Sequence, residues 1–443
     1  HIAWKEAPIT AGDRARARRF GLREFLQTRA GDTARRCSQA RTPWRKPGLG
    51  GFAAGSSLTP RRLIASVSVV VDRTNADPAP GVLRRAWPAV QARLGGPLLE
   101  ALLARGSLRR RLARSRSEAV EGQFVDEHLA AMLRIDDLSG DSLVERRTPE
   151  EARRALRVSV ASVDAPPRTQ VHWRELWWSG PGGSQRARLY TPPGLDTPSP
   201  AVVYFHGGGW VVGDLESHDF LCRRLAVSGH VRVVAIDYRL APEHPFPAAA
   251  EDAVAAFRWC VEHARELEID PACVAVAGDS AGGNLSAVVS LHSAAHAAKP
   301  ALAVLLYPGL DATRSQPSHR ALGDRWMLTE ASIAWYHHNY YGDSAEVHRH
   351  PDASPVFATE FAGVCPTWIC ACHFDPLRDE AVHYSELLRK AGVDVKLSVL
   401  PTMIHGFALM TRASPAARGI TERIAADLGA ALRAGAGWRG LSP

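Results

Sequence analysis

The sequence predicts an α/β protein whose mostly parallel central sheet is flanked by helices on both faces. Three observations lead there. Six short apolar runs (201–205, 231–236, 273–277, 301–306, 367–372 and 395–400) alternate with helix-length segments such as 247–268 and 377–392. Strands apolar on both faces belong in a parallel sheet buried beneath crossover helices. Polar or glycine-rich motifs follow directly on four of those runs, at the strand ends where an open parallel sheet gathers its chemistry.

Length and composition bound the rest. The 443 residues, 46% apolar and 23% charged, suffice for one large α/β domain with an accessory region. No apolar run approaches the ~18 residues of a membrane span, so no stable membrane insertion is expected. The longest early candidate, 63–71, is fenced by Arg61-Arg62 and Asp72-Arg73 and lies too far along for a cleavable signal. The net charge of +8 is local. Residues 1–62 hold fourteen Lys/Arg against four Asp/Glu, an excess of ten that leaves the other 381 residues at −2. The few aromatics among those arginines do not recur in the manner of a base-stacking platform, and no nucleic-acid partner is expected. The seven cysteines are odd in number and mostly within apolar runs. They fit buried thiols in a reducing, cytoplasmic setting better than a disulfide framework.

In chain order, residues 1–80 read as a basic extension of low order. Residues 81–165 read as a helical, cap-like region, with Leu94, Leu98, Leu99, Leu102 and Leu103 at helical spacing. A capping box at Thr148-Pro149-Glu150-Glu151 starts its last helix. Residues 166–435 form the α/β domain, opening on a hairpin (171–178 and 186–190) and a Pro-rich link. The 57 residues between Pro308 and Pro366 are too many for a simple crossover. With Trp326, Trp335, Tyr336, Tyr340 and Tyr341 they read as an insertion near 311–355, over the carboxyl edge of the sheet.

The centre of the pattern is Gly278-Asp279-Ser280-Ala281-Gly282, where an apolar run breaks and a small-residue helix follows. Strand, sharp turn and helix put a serine hydroxyl on an exposed, strained elbow. Glycines two before and two after are required because side chains there would collide with the neighbouring strand and helix. Serine is a weak nucleophile and needs a base, which His405 supplies. Asp375 suits the acid that fixes the imidazole tautomer. Backbone N–H donors for a developing oxyanion are offered by the triple glycine after 201–205 and by Ala281.

His206-Gly207-Gly208-Gly209-Trp210, Asp237-Tyr238-Arg239-Leu240-Ala241-Pro242-Glu243, the Ser280 elbow, Asp375-Pro376-Leu377-Arg378-Asp379-Glu380 and His405-Gly406-Phe407 together resemble the hormone-sensitive-lipase-like (bacterial family IV) carboxylesterases. The resemblance spans roughly 145–430. It implies an α/β-hydrolase fold with a helical cap, and Ser280, Asp375 and His405 as a catalytic triad. It also implies an oxyanion hole from the N–H groups of Gly207, Gly208 and Ala281. The expected activity is cofactor-independent hydrolysis of small-molecule esters with short to medium acyl chains, with no metal ion; a homodimer is left open. His373 departs from the family pattern and threatens to crowd the acid loop. A receptor built on a disabled hydrolase is disfavoured because His405 is present.

The remaining candidates take structural readings. Asp279 is expected to be a hydrogen-bonding residue, and Asp379 a weaker rival of Asp375 because a helix should already have begun there. Cys370 and Cys372 share one strand face as buried thiols. His337-His338 belong to the cap surface, and Asp237, Arg239 and Glu243 to a salt-bridged turn. Trp210 is assigned to substrate binding, with ordinary core packing as the alternative.

Overall fold

The computed structural model describes residues 95–139 and 144–435. The extension expected over 1–80 lies outside these, as does the start of the helical region. Eight strands form one sheet: β1 (His172–Gly180), β2 (Gly183–Thr191), β3 (Ser199–Phe205), β4 (Arg232–Ile236), β5 (Ile269–Asp279), β6 (Leu302–Leu306), β7 (Thr367–Phe374) and β8 (Val395–Ile404). Their order is β1-β2-β4-β3-β5-β6-β7-β8. The β1/β2 and β2/β4 pairs are antiparallel, and every other pair is parallel. All six apolar runs therefore became parallel strands, and the hairpin became the antiparallel end of the sheet.

The helices used below are α1 (Gly106–Ala113), α2 (Glu127–Ser139), α3 (Pro149–Val163), α4 (Asp219–Gly229), α5 (Ala248–Glu262), α6 (Ala281–Ser293), α7 (Pro317–Leu322), α8 (Glu330–Tyr341), α9 (Arg378–Lys390) and α10 (Pro415–Ala434). The two-residue period of a strand divides the interior into two cores. In β3, Val202 and Tyr204 join one core while Ala201, Val203 and Phe205 join the other. The first is covered by Leu221 and Leu225 of α4 and Ile424 and Leu428 of α10, with Leu129 and Leu133 of α2 joining at its edge. The second is covered by Phe257 of α5, Leu285 and Val288 of α6, and Tyr384 of α9. In β7, Cys370 and Cys372 both face the first core and are fully buried, as the alternation requires.

Local signals set the helix starts. Thr148 caps α3: its Oγ1 accepts from Glu151 N–H (3.3 Å) while its own N–H donates to Glu151 Oε2 (2.9 Å). Three expectations need correction. Segment 247–268 is not one helix, because α5 ends at Glu262 and a single turn, Ala264–Leu267, follows before Glu268 adopts a left-handed conformation. The helix after the elbow, expected from the sequence over Gly283 to about Ala298, starts two residues earlier at Ala281, with Ser280 as its N-cap, and stops at Ser293. The run 395–400 is not buried on both faces, because β8 is the sheet edge and Val399 is 39% exposed.

Helices α4 and α10 meet backbone to backbone. A Cβ on Gly429 would stand 1.8 Å from the Gly229 carbonyl oxygen. That same carbonyl, at the end of α4, accepts a hydrogen bond from Arg433 of α10 (2.8 Å). Gly429→Ala gains about 1 kcal/mol of helix propensity, yet the clash forces the helices apart at a net cost of roughly 1–3 kcal/mol. The expected outcome is a lower melting temperature by circular dichroism; an unchanged melt would mean the helices do not approach this closely.

Candidate active site

Ser280 sits between β5 and α6 with φ 55° and ψ −117°, a strained conformation for a residue with a side chain. Its N–H donates to Leu306 O of β6 (2.8 Å), which locks the turn to the neighbouring strand. The flanking glycines are needed for the reason the sequence suggested. A Cβ on Gly282 would lie 1.9 Å from Phe205 O of β3, and one on Gly278 would lie 2.3 Å from the Gly282 carbonyl.

The structure brings the three dispersed residues together. His405 Nε2 lies 2.9 Å from Ser280 Oγ, and His405 Nδ1 lies 2.8 Å from Asp375 Oδ2. Asp375 is buried, and its other oxygen accepts from Leu377 N–H (2.9 Å), so the carboxylate is held from both ends. Tyr307 stands edge-on to the His405 ring, with centroids 4.9 Å apart. The rival Asp379 is turned away, accepting from Arg378 Nε (2.8 Å) and Ser318 N–H (3.0 Å). His373 does not crowd the acid loop: its Nε2 donates to Val120 O (2.9 Å).

The glycine loop after β3 differs from expectation at one residue. Gly207 does not offer its N–H to the cavity, because it donates to Asp279 Oδ1 (2.8 Å). Among the described residues, the N–H groups of Gly208, Gly209 and Ala281 have no hydrogen-bond acceptor. Gly208 has φ 117° and a Cβ there would meet Val212 O at 2.2 Å, so only glycine fits.

Asp279 is the node behind this loop. Fully buried, it also accepts from Tyr204 OH (2.7 Å), and His218 Nε2 lies 3.4 Å away. Burial works against its ionisation, but His218, Tyr204 and the Gly207 N–H together hold its carboxyl below the usual range. His206 is held neutral by burial and by His218 beside it, which lower it to about 4. Its Nδ1 is 2.8 Å from Gly207 O, and its ring stacks on Tyr238 (4.2 Å between centroids).

Ser280 and His405 open into a cavity of about 710 Å³. Its walls include Leu156 and Val160 of α3 and Trp326, Ile333 and Tyr336 of the insertion. Trp210 lines it too, stacked on Tyr340 at 4.7 Å. The salt-bridged turn is present, with each member paired outward: Asp237 to Arg186 (2.9 Å), Arg239 to Asp252 (2.7 Å) and Glu243 to Arg153 (2.6 Å).

The assignment of His337 to the surface was incorrect. His338 is exposed, but His337 lines the cavity, where burial lowers it to about 3. Each residue of a helix is rotated by ~100° from the one before it, so adjacent histidines on α8 cannot share a face. His319 and Glu380 also line the cavity, and no sequence signal pointed to them as a pair. They are 61 residues apart and 3.7 Å from each other.

No helix among the described residues is long and apolar enough to cross a membrane. The family model for the alpha/beta hydrolase fold matches residues 202–409. Carboxylic ester hydrolase LipN of Mycobacterium tuberculosis is 40% identical over 325 residues, covering 72% of this chain and 86% of its own length. Carboxylesterase NlhH of the same species is 40% identical over 290 residues, covering 64% of this chain and 90% of its own. A solved ester hydrolase from the Lake Arreo metagenome, complexed with a bipyridine phosphonate derivative, superposes with a TM-score of 0.66 at 34% identity, covering 69% of this chain and 99% of that one. A thermostable esterase from Pseudomonas putida gives a TM-score of 0.67 at 32% identity, covering 70% and 98%. The chain belongs to the hormone-sensitive-lipase-like carboxylic ester hydrolases of the α/β-hydrolase superfamily.

Proposed function

We propose that this chain hydrolyses small-molecule carboxylic esters of short to medium acyl chain through an acyl-enzyme formed on Ser280. The observation that carries the reading is the hydrogen-bonded series Ser280–His405–Asp375, at 2.9 and 2.8 Å, open to the cavity. Asp375 fixes the His405 tautomer with the proton on Nδ1, leaving Nε2 free to take the serine proton. Serine Oγ then attacks the ester carbonyl, and the oxyanion that develops is met by backbone N–H groups. The donors proposed are the N–H groups of Ala281, Gly208 and Gly209, the last in place of Gly207, whose N–H is committed to Asp279. His405 passes its proton to the leaving alcohol. Water, deprotonated by the same imidazole, releases the acid and restores Ser280.

No cofactor enters these steps. The apolar walls, Trp210 among them, suit an acyl or alcohol group of limited length. The free, buried thiols of Cys222, Cys260, Cys365, Cys370 and Cys372 support a reducing, cytoplasmic setting.

Ser280→Ala is expected to lower turnover of p-nitrophenyl butyrate by ~10⁴-fold or more without shifting the thermal melt. A fluorophosphonate should label the native chain and not this variant; retained turnover would remove Ser280 as nucleophile. Asp279→Ala tests the anchoring of the glycine loop. It leaves Tyr204 OH and Gly207 N–H unpaired, at a cost of about 1–3 kcal/mol in urea unfolding. Loosening the loop should lower kcat towards the ~10²-fold cost of a lost oxyanion donor, with KM little changed. Equal kcat in the two proteins would show that the loop needs no such anchor.

A further inference from the structure

The catalytic cavity is apolar over most of its wall, but it has one polar end that the ester chemistry does not use. Glu380, in the first turn of α9, is 1% exposed, and neither of its carboxylate oxygens has a partner at hydrogen-bond distance among the described residues, although His319 and the Leu310 N–H both draw on it. His319 of α7 is 3% exposed, and neither ring nitrogen has such a partner among the described residues. The pair is separated by 3.7 Å between Nε2 and Oε2, beyond hydrogen-bond range. His337 of α8 lines the same cavity, its buried Nδ1 without a hydrogen-bond partner among the described residues. Asp311 is close enough to influence all three, but its oxygens are spent on Thr313 N–H (2.9 Å) and Ser315 Oγ (2.6 Å).

Buried polar groups are hydrogen-bonded in nearly every case, and each exception asks for a reason. An ion pair kept for stability alone would close to bonding distance, since burial is costly and only good geometry offsets it. Here burial pushes Glu380 up to about 7, against the opposing pull of His319. Burial would lower His319, but Glu380, helped by Asp311 and Asp375, more than compensates and its net shift is upward. The two groups thus hold ionisable hydrogen-bonding capacity at the cavity wall. A metal is not the complement: among the described residues no group of three or more His, Cys, Asp or Glu is arranged to hold one.

We infer that Glu380 and His319, with His337, form a specificity subsite for a hydroxyl-bearing substituent of the ester. A hydroxyl is the group that answers both members at once, donating to a carboxylate oxygen and accepting from an imidazole N–H. A purely aliphatic chain would leave all these groups unsatisfied in a dry site. A cation would satisfy Glu380 but face the protonated form of His319. A polyol or hydroxyacyl ester can engage several of the orphan atoms together. The inference rests on the ester-hydrolase reading above, and the test separates the two.

Binding is measured first, on Ser280→Ala, so that no turnover is needed. Calorimetry compares ethyl hexanoate with its 2-, 3-, 4- and 6-hydroxy analogues and with glycerol monohexanoate. At least one hydroxylated ester is expected to bind about tenfold to a hundredfold tighter than the plain ester, the range for a hydrogen bond to a charged group. Added Glu380→Leu or His319→Leu should bring that ratio close to one, while Glu380→Gln, which keeps a polar partner, should retain part of it. The same esters with the native chain then give the kcat/KM ratio, which should follow the binding ratio. Equal binding of plain and hydroxylated esters, or a ratio that survives both leucine variants, would overturn the subsite. Absence of all turnover with the binding ratio intact would instead overturn the hydrolase reading and leave the subsite standing.

Discussion

The constraint on which the active site depends is the contact of three backbones beneath Ser280. The end of β3 at Phe205, the end of β5 at Gly278 and the start of α6 at Gly282 approach until no Cβ fits between them. That approach forces Ser280 into its positive-φ turn, lifts the hydroxyl clear of the sheet, and sets the start of α6 beside the glycine loop. Asp279 then ties the two strand ends together, with one oxygen shared between Tyr204 of β3 and the Gly207 N–H. A loop of three glycines would otherwise be among the freest segments of any chain. Here one glycine is given up as an anchor so that the N–H groups after it can be aimed.

That exchange explains what could and could not be read from the sequence. The parallel sheet was legible because β3 to β7 are apolar on both faces, and that pattern admits few alternatives. The Ser280, Asp375 and His405 positions were legible because each follows a strand end in a loop with its own short signature. The Gly207 N–H was misjudged because a triple glycine does not state which amides face inward. The side chain that decides it, Asp279, lies 72 residues further on. The reading of Asp279 as a hydrogen-bonding residue was right in kind, while its particular partner was beyond a pattern argument. His319 and Glu380 were illegible for a stronger reason. A histidine and a glutamate are unremarkable alone, and only the packing of the insertion on α9 makes them neighbours. β8 shows the same limit at lower stakes, since an edge strand and a central one can share an apolar pattern.

The acid loop joins the site to the elements that enclose it. On one side, Ser318 of α7 donates to Pro376 O (2.6 Å) and accepts from Asp379 N–H (3.1 Å), while its own N–H bonds the Asp379 carboxylate. On the other, Arg378 makes a two-pronged pair with Glu121 (2.9 and 3.0 Å), and His373 bonds Val120 O, between α1 and α2. Asp375 therefore lies in a loop braced from the insertion and from the N-terminal helices at once. The Glu121 pair is at the surface and contributes little by itself. The Ser318 bonds are buried, and they fix the start of α9 against α7.

This bracing has a consequence for selectivity. Glu380 follows Asp379 directly, and His319 follows Ser318 directly, so the polar end of the cavity hangs on the same two segments that position the acid. A ligand that drew His319 and Glu380 together would tighten the α7–α9 contact from the cavity side. It would thereby steady the loop carrying Asp375, five residues before Glu380. Recognition at one end of the substrate and orientation of His405 at the other are then linked through a single short stretch of backbone, 375–380. Such a link lets binding energy from a non-reacting part of the ester be used at the reacting carbonyl.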